Sequence, residues 1–153
     1  SDDGLLLHEA SEGWMVEAGH PSVRLWDDAR EAVMPAAARP APGVDYTPKA
    51  RFMADESLPH AGHAARLRAV FVLEQEGSSD VQLAPLTPRD ALMAVASNRF
   101  LFDVDDRQVL QDHQKRLLKL VSAVPFVRLD YPRRFESLPQ VCELITAHAK
   151  AFL

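Results

Sequence analysis

The feature that most constrains the fold is an apolar run near the middle of the chain, Leu67–Leu73, which is rich in β-branched and aromatic residues. A run of this length and type is typical of a central strand in a sheet. A second run, Leu5–Leu7, is short and wholly apolar, which is typical of a strand buried on both faces. We therefore expect the chain to fold around a sheet with buried central strands.

Other segments show weaker strand patterns, separated by turn-forming residues. The residues Glu12 and Gly13 predict a turn, so the first strand and the segment after this turn should form a hairpin. The predicted additional strands are Trp14–Ala18, Lys49–Met53, Val81–Leu86 and Pro125–Leu129.

Four segments carry helix signals. The first should begin at Asp27 and Asp28 and end before Pro35, and the second follows the capping sequence Thr87-Pro88-Arg89-Asp90. The third should span about residues 105–122 and the fourth should be capped at Ser137. The inward residues are predicted to be Val109, Leu110, His113, Leu117, Leu120 and Val121 on the third helix, and Val141, Leu144, Ile145 and His148 on the fourth.

Strands interleaved with helices predict an α/β fold with an α+β tendency, in which a mixed sheet is flanked by helices. The length of 153 residues predicts one domain, residues 1–153. Residues 35–48 contain four prolines, and residues 55–64 are polar and rich in turn formers, so both segments are predicted to be flexible loops.

Composition excludes several classes of protein. The net charge of −5, from 17 basic and 22 acidic residues, argues against a nucleic-acid partner. The chain has no apolar stretch near the roughly 20 residues that span a bilayer, so no membrane association is expected. The single cysteine, Cys142, fits a reducing cytoplasm and is expected to be a small buried packing residue.

Candidate functional residues are few. The adjacent carboxylates Asp2 and Asp3 are suited to holding Mg²⁺ or accepting a proton, although for two aspartates taken alone an Asp-Gly turn that opens an ordinary strand is the simpler interpretation. Arg24 follows the turn Gly19-His20-Pro21 and could bind a phosphate or form a structural ion pair. Lys49 and Arg51 could face phosphates or form a solvated strand face.

Histidines give weaker signals. His60 and His63 lie three residues apart in a predicted loop, and two histidines without a third ligand are poor evidence for a metal site. His113 and His148 lie on predicted helical stripes, where core or boundary positions are the simpler interpretation.

Several of these segments, in this order, resemble the HPr kinase/phosphorylase-like serine kinases. The resemblance rests on Ser1-Asp2-Asp3 before an apolar strand, on Ala18–Trp26, and on Lys49 after a variable loop. It extends to Leu67–Leu73 and to two later stretches, Pro85–Leu92 and Val124–Pro132. The most similar subgroup is the kinase homologues found beside peptide-modification genes, some associated with lasso peptides.

The resemblance implies a nucleotide domain like that of phosphoenolpyruvate carboxykinase, and an ATP- and Mg²⁺-dependent transfer of phosphate to a serine of a protein or peptide. It implies that Asp2 and Asp3 bind Mg²⁺ and supply the base, and that Arg24 holds phosphate or the substrate hydroxyl. Lys49 and Arg51 would approach the phosphates from a later loop. Relatives assemble into larger oligomers, so a homo-oligomer is also expected.

One departure from the family is large. In the family a G-x-x-x-x-G-K-[ST] loop precedes the Asp-Asp strand, whereas none of the six glycines here precedes a Lys-Ser or Lys-Thr pair. We therefore expect the chain to be the C-terminal part of such a kinase, incomplete at the N-terminus and inactive alone. The alternative is a non-catalytic binding module that recognises a carrier protein or peptide.

Overall fold

The structure is a computed structural model, and it describes residues 4–74, 77–99 and 105–151. The chain divides into two compact units, residues 1–66 and 67–153. The described part of the first unit contains β1 (Leu7–Ala10), β2 (Gly13–Val16), β3 (Ser22–Leu25), α1 (Asp27–Val33), β4 (Pro40–Ala41), β5 (Ala50–Met53) and β6 (Ala65–Arg66). The second contains β7 (Val70–Leu73), β8 (Gln82–Pro85), α2 (Pro88–Ser97), α3 (Arg107–Ala123), β9 (Phe126–Asp130) and α4 (Leu138–Lys150).

The first sheet of unit 1 is antiparallel and has the strand order β1-β2-β6. The predicted hairpin is confirmed, since Ala10 pairs with Gly13 across the turn. Gly13 has a φ of 113°, a left-handed conformation that a residue with a Cβ adopts only with strain. Trp14, only 7% exposed, anchors this sheet.

The prediction of a buried central strand at Leu5–Leu7 is wrong. Strand β1 begins only at Leu7 and lies at the edge of its sheet, while Leu5 and Leu6 are 60% and 69% exposed. Three leucines in a row specify burial only if the backbone beside them is paired on both sides. Here the pairing with β2 starts where the run ends.

The second sheet of unit 1 is also antiparallel, with the order β3-β5-β4. The strand expected at Lys49–Met53 is confirmed as β5, and it pairs with β3, which the sequence pattern did not predict as a strand. Val23 lies opposite Phe52, which is 5% exposed, so this face of the sheet is covered. Since side chains alternate along a strand, the neighbours Arg24 and Arg51 lie on the other face.

Between β3 and β5 the chain forms α1 and then the proline-rich segment. Helix α1 begins at Asp27 as predicted and ends one residue before Met34, and Pro35 follows. Within the predicted loop 35–48, Pro40 and Ala41 add a two-residue edge strand to β5, a position that tolerates proline. Residues 55–64 contain no helix or strand, in agreement with the prediction of a loop.

Unit 2 is built on a mixed sheet with the order β7-β9-β8. Strand β9 is parallel to β7 and antiparallel to β8. The prediction that Leu67–Leu73 supplies the central strand is wrong, because β7 is at the edge and Leu73 is 57% exposed. The central strand is β9, whose Phe126, Val127 and Leu129 are buried.

Helices α2 and α3 begin at the predicted caps. Thr87 Oγ1 accepts a hydrogen bond from the Asp90 amide at 3.2 Å and donates one to the Asp90 carboxylate at 2.7 Å, which fixes the start of α2. The Asp106 carboxylate accepts bonds from the first amides of α3. Leu117 and Leu120 are buried as predicted, but Val109, in the first turn of α3, is exposed.

Helix α4 starts beside Ser137, as expected, although the Ser137 side chain makes no cap bond and accepts instead from Arg134 Nε at 3.2 Å. Val141 is buried and Leu144, Ile145 and His148 are partly buried, so the predicted inward face is confirmed. Cys142 lies outside this face and is exposed, which corrects the prediction of a buried packing residue.

The fold is therefore mixed α/β, with small antiparallel and mixed sheets and four helices in the described residues. The expected mixed sheet corresponds to β7-β9-β8 alone, since the two sheets of unit 1 are antiparallel. Among the helices of the described residues, none combines the length and the apolar character required to cross a membrane.

Candidate functional site

The structure brings three of the five predicted site residues together on one sheet. Arg24 lies on β3, Arg51 on β5, and Lys49 immediately before β5. The other two, Asp2 and Asp3, lie outside the described residues, so the acidic half of the expected site stays a prediction.

Arg24 and Arg51 are direct cross-strand partners in the β3–β5 pairing. Opposed residues of an antiparallel pair have Cβ atoms about 4.5–5.5 Å apart and point to the same face. Both arginines are half-buried. On its other side Arg51 pairs with Ala41 of β4.

Tyr46 holds the guanidinium of Arg24. Arg24 Nη1 donates a hydrogen bond of 2.6 Å to the tyrosine hydroxyl, and Arg24 Cζ lies 5.7 Å from the centroid of the ring. Tyr46 reaches this position from a tight turn closed by a bridge between Val44 and Thr47. Sequence reasoning missed Tyr46, because 22 residues separate it from Arg24 and no local pattern connects the two.

Lys49 and Trp26 form the next pair along the same face. Beyond the last register pair, Leu25 opposite Ala50, the Lys49 Nζ lies 5.4 Å from the centroid of the Trp26 ring. Trp26 follows Arg24 by two residues with extended backbone, so both side chains lie on one face. Trp26 is 52% exposed, and the sequence analysis assigned it no role.

We refer to Arg24, Lys49 and Arg51 as the cationic face. Within the described part of the chain, Lys49 and Arg51 take part in no ion pair. Arg24 and Arg51 lie opposite each other on this face and Lys49 lies one position beyond the paired residues, while buried Phe52 lies on the reverse face. Guanidinium groups present planar donor forks that match phosphate and carboxylate oxygens, so the face is suited to an anion.

A cavity of about 580 Å³ lies near the other end of β5. It is lined by alanines, Arg39, Pro40, Met53, Asp55, Glu56 and Ser57. Asp55 is engaged in its own turn, accepting bonds from the Ser57 hydroxyl and from the amides of Ser57 and Leu58. The hydrogen bond from the Ser57 hydroxyl is the largest cause of the lowered pKa of Asp55. This carboxylate is therefore a poor proton acceptor.

The residues that the structure describes contain no group of three or more potential ligands able to hold a metal ion. His60 Nε2 donates to the Gly19 carbonyl at 3.0 Å and so ties down the loop, in keeping with a structural interpretation of this histidine.

Comparisons of the chain with protein-family models, with curated proteins and with solved structures gave no match. The assignment to a kinase family therefore remains a prediction from the sequence.

Proposed function

We propose that this chain takes part in the transfer of a phosphoryl group from ATP to a serine hydroxyl of a protein or peptide, and that the cationic face binds the phosphates. The proposal combines the resemblance to HPr kinase-like proteins with the positions of Arg24, Lys49 and Arg51. The phosphoenolpyruvate-carboxykinase-like nucleotide domain and the Mg²⁺ bound by Asp2 and Asp3 belong to the same proposal.

The pairing of Arg24 with Arg51 is the observation that carries it. Like charges placed directly opposite on antiparallel strands destabilise a sheet. A ligand with several negative oxygens removes this repulsion, because each guanidinium can donate two parallel bonds to it. Two guanidinium groups on one face of the sheet thus offer a polyphosphate several hydrogen-bond donors at once.

In phosphoryl transfer the protein mainly positions the reactants and neutralises charge that is spread over the phosphate oxygens. The cationic face would serve both purposes. Tyr46 holds the Arg24 guanidinium in place, so less side-chain freedom is lost on binding. By resemblance, one of Asp2 and Asp3 would accept the proton of the attacking serine.

The second candidate is a non-catalytic module that binds a carrier protein or peptide. The observation in its favour is the missing glycine-rich Lys-Ser/Thr loop, since the phosphate-binding amides of that loop have no counterpart among the glycines of the sequence. In this interpretation the cationic face would hold an anionic group of the partner without transferring it.

Calorimetric titration of the 153-residue chain with Mg-ATP, and separately with a phosphoserine peptide, distinguishes the two. The kinase proposal predicts that Mg-ATP binds weakly, because the glycine-rich loop is missing from this chain. Arg51→Met should abolish this binding, and the exposed Arg66→Met, on another sheet, should leave it unchanged. The affinity should fall as salt is raised, because the contacts are ionic and partly exposed. Binding of the peptide alone would favour the module, and binding of neither would contradict an anion site.

A further inference from the structure

We propose that the cationic face selects a nucleotide over a bare polyphosphate, with the Trp26 indole as the surface on which the base stacks. This inference rests on the proposed function and names the class of ligand: a nucleoside diphosphate or triphosphate. It concerns a residue for which the sequence analysis found no role.

The spacing along the sheet fits the two ends of such a ligand. Arg24 and Arg51 form one row, and Trp26 and Lys49 form the next. Two residues along an extended strand advance by about 7 Å, which is comparable to the span of the ribose that joins a base to its first phosphate. A phosphate between the arginines therefore leaves the base within reach of the indole.

The exposure of Trp26 supports a role in binding. Tryptophan is usually well buried, yet this side chain is 52% exposed, whereas the other tryptophan of the chain, Trp14, is 7% exposed. Lys49 Nζ lies over the Trp26 ring at 5.4 Å and limits its motion. A partly immobilised, partly exposed indole is suited to stacking, since every base presents an apolar face.

The charges set the direction of the ligand. Asp27 and Asp28, exposed at the start of α1, follow Trp26 directly and disfavour phosphates at that end. Arg24 and Arg51, at the other end, attract them. The uncharged base therefore belongs beside Trp26 and the phosphates beside the arginines.

Tyr46 is the other exposed ring beside the cationic face, but its hydroxyl is already bound by Arg24. It holds the phosphate-binding end of the face, so a base stacked on it would compete with the phosphates for the same space. This favours Trp26 as the stacking residue.

Trp26 also provides the signal for the test. Titrations of the 153-residue chain with ADP and with pyrophosphate, which has a comparable charge, would be followed by tryptophan fluorescence and calorimetry. We expect ADP to quench the exposed Trp26 and to bind at least about five-fold more tightly than pyrophosphate, since stacking of one base contributes roughly a five-fold to hundred-fold gain.

Two variants complete the test. Trp26→Leu should remove this advantage of ADP and leave the affinity for pyrophosphate unchanged, while Trp26→Phe should retain most of it. Equal affinities for ADP and pyrophosphate in the unaltered chain would overturn the base-stacking inference and leave the phosphate site standing. If neither ligand binds, both this inference and the proposed function are wrong. An equal loss of both ligands in Trp26→Leu would show a purely structural role for Trp26.

Discussion

Arg24 and Arg51 lie directly opposite each other on the antiparallel strands β3 and β5. The register places the two positive charges on one face, and Tyr46 binds the first of them through its hydroxyl. Such a pair costs stability unless an anion lies between the two side chains. This relation can be tested through stability as well as through binding.

Replacing Arg51 by threonine should stabilise the free protein while abolishing anion binding. Removal of the opposed like charge should raise the free energy of unfolding by about 0.2–1 kcal/mol. Urea unfolding followed by the fluorescence of Trp14, which is buried in the same unit, measures this. The exposed Arg66→Thr on β6 is the matched control and should change stability by less than about 0.5 kcal/mol. A destabilised Arg51→Thr would mean that Arg51 has a structural role instead.

Gly77 should tolerate no side chain. A Cβ at this position would lie 2.8 Å from the Tyr131 carbonyl oxygen and 2.9 Å from Arg133 Cγ. Since the first of these atoms belongs to the backbone, Gly77→Ala should destabilise unit 2 by about 1–3 kcal/mol. Far-UV circular dichroism during urea unfolding measures the change. Gly62→Ala, where a Cβ meets nothing within 4 Å, is the control, and a similar loss in both variants would refute the steric explanation.

The capping box at the start of α2 should contribute measurably to stability. Thr87→Ala removes the acceptor for the Asp90 amide and the donor to its carboxylate, so the free energy of unfolding should fall by about 1 kcal/mol. Thr87→Ser keeps the hydroxyl and should lose only a fraction of this amount. Equal losses in the two variants, measured by urea unfolding, would show that the threonine methyl group matters and the hydroxyl does not.

His113 should make unit 2 less stable in mild acid. Burial above all, and then the charges of Arg99 and Arg116, lower the pKa of this histidine, and its Nε2 has no hydrogen-bond partner in the described residues. In the unfolded chain this histidine takes up a proton at about pH 6.5, whereas in the folded protein it stays unprotonated to a lower pH. The free energy of unfolding is therefore highest above about pH 6.5 and falls as the pH drops below that value.

Urea midpoints measured by circular dichroism at several values between pH 7.5 and 5 test this expectation. His113→Gln should flatten the fall in stability, whereas His63→Gln, in an exposed loop, should leave it unchanged. An identical pH profile for His113→Gln and the unaltered chain would rule out His113 as the cause.

Local signals predicted the elements well and their burial less well. Thr87 and Asp106 mark helix starts because capping acts within one turn, and Asp27 and Asp28 mark the start of α1 because acidic groups are favourable in the first turn of a helix. The runs Leu5–Leu7 and Leu67–Leu73 gave wrong predictions of buried central strands. Apolar composition does not show whether a neighbouring strand pairs on each side. Here β1 and β7 are edge strands.

The sequence by itself determined most of the strands and helices, the caps of α2 and α3, and three basic residues of the candidate site, since these depend on residue type and on neighbours along the chain. Only the tertiary structure decided that Arg24 opposes Arg51, that Tyr46 binds Arg24, and that Trp26 lies beside Lys49. The physical reason is strand register, which is set by turns and by the burial of Phe52 on the reverse face. Register brings together residues that are more than 20 positions apart, and no local pattern encodes it.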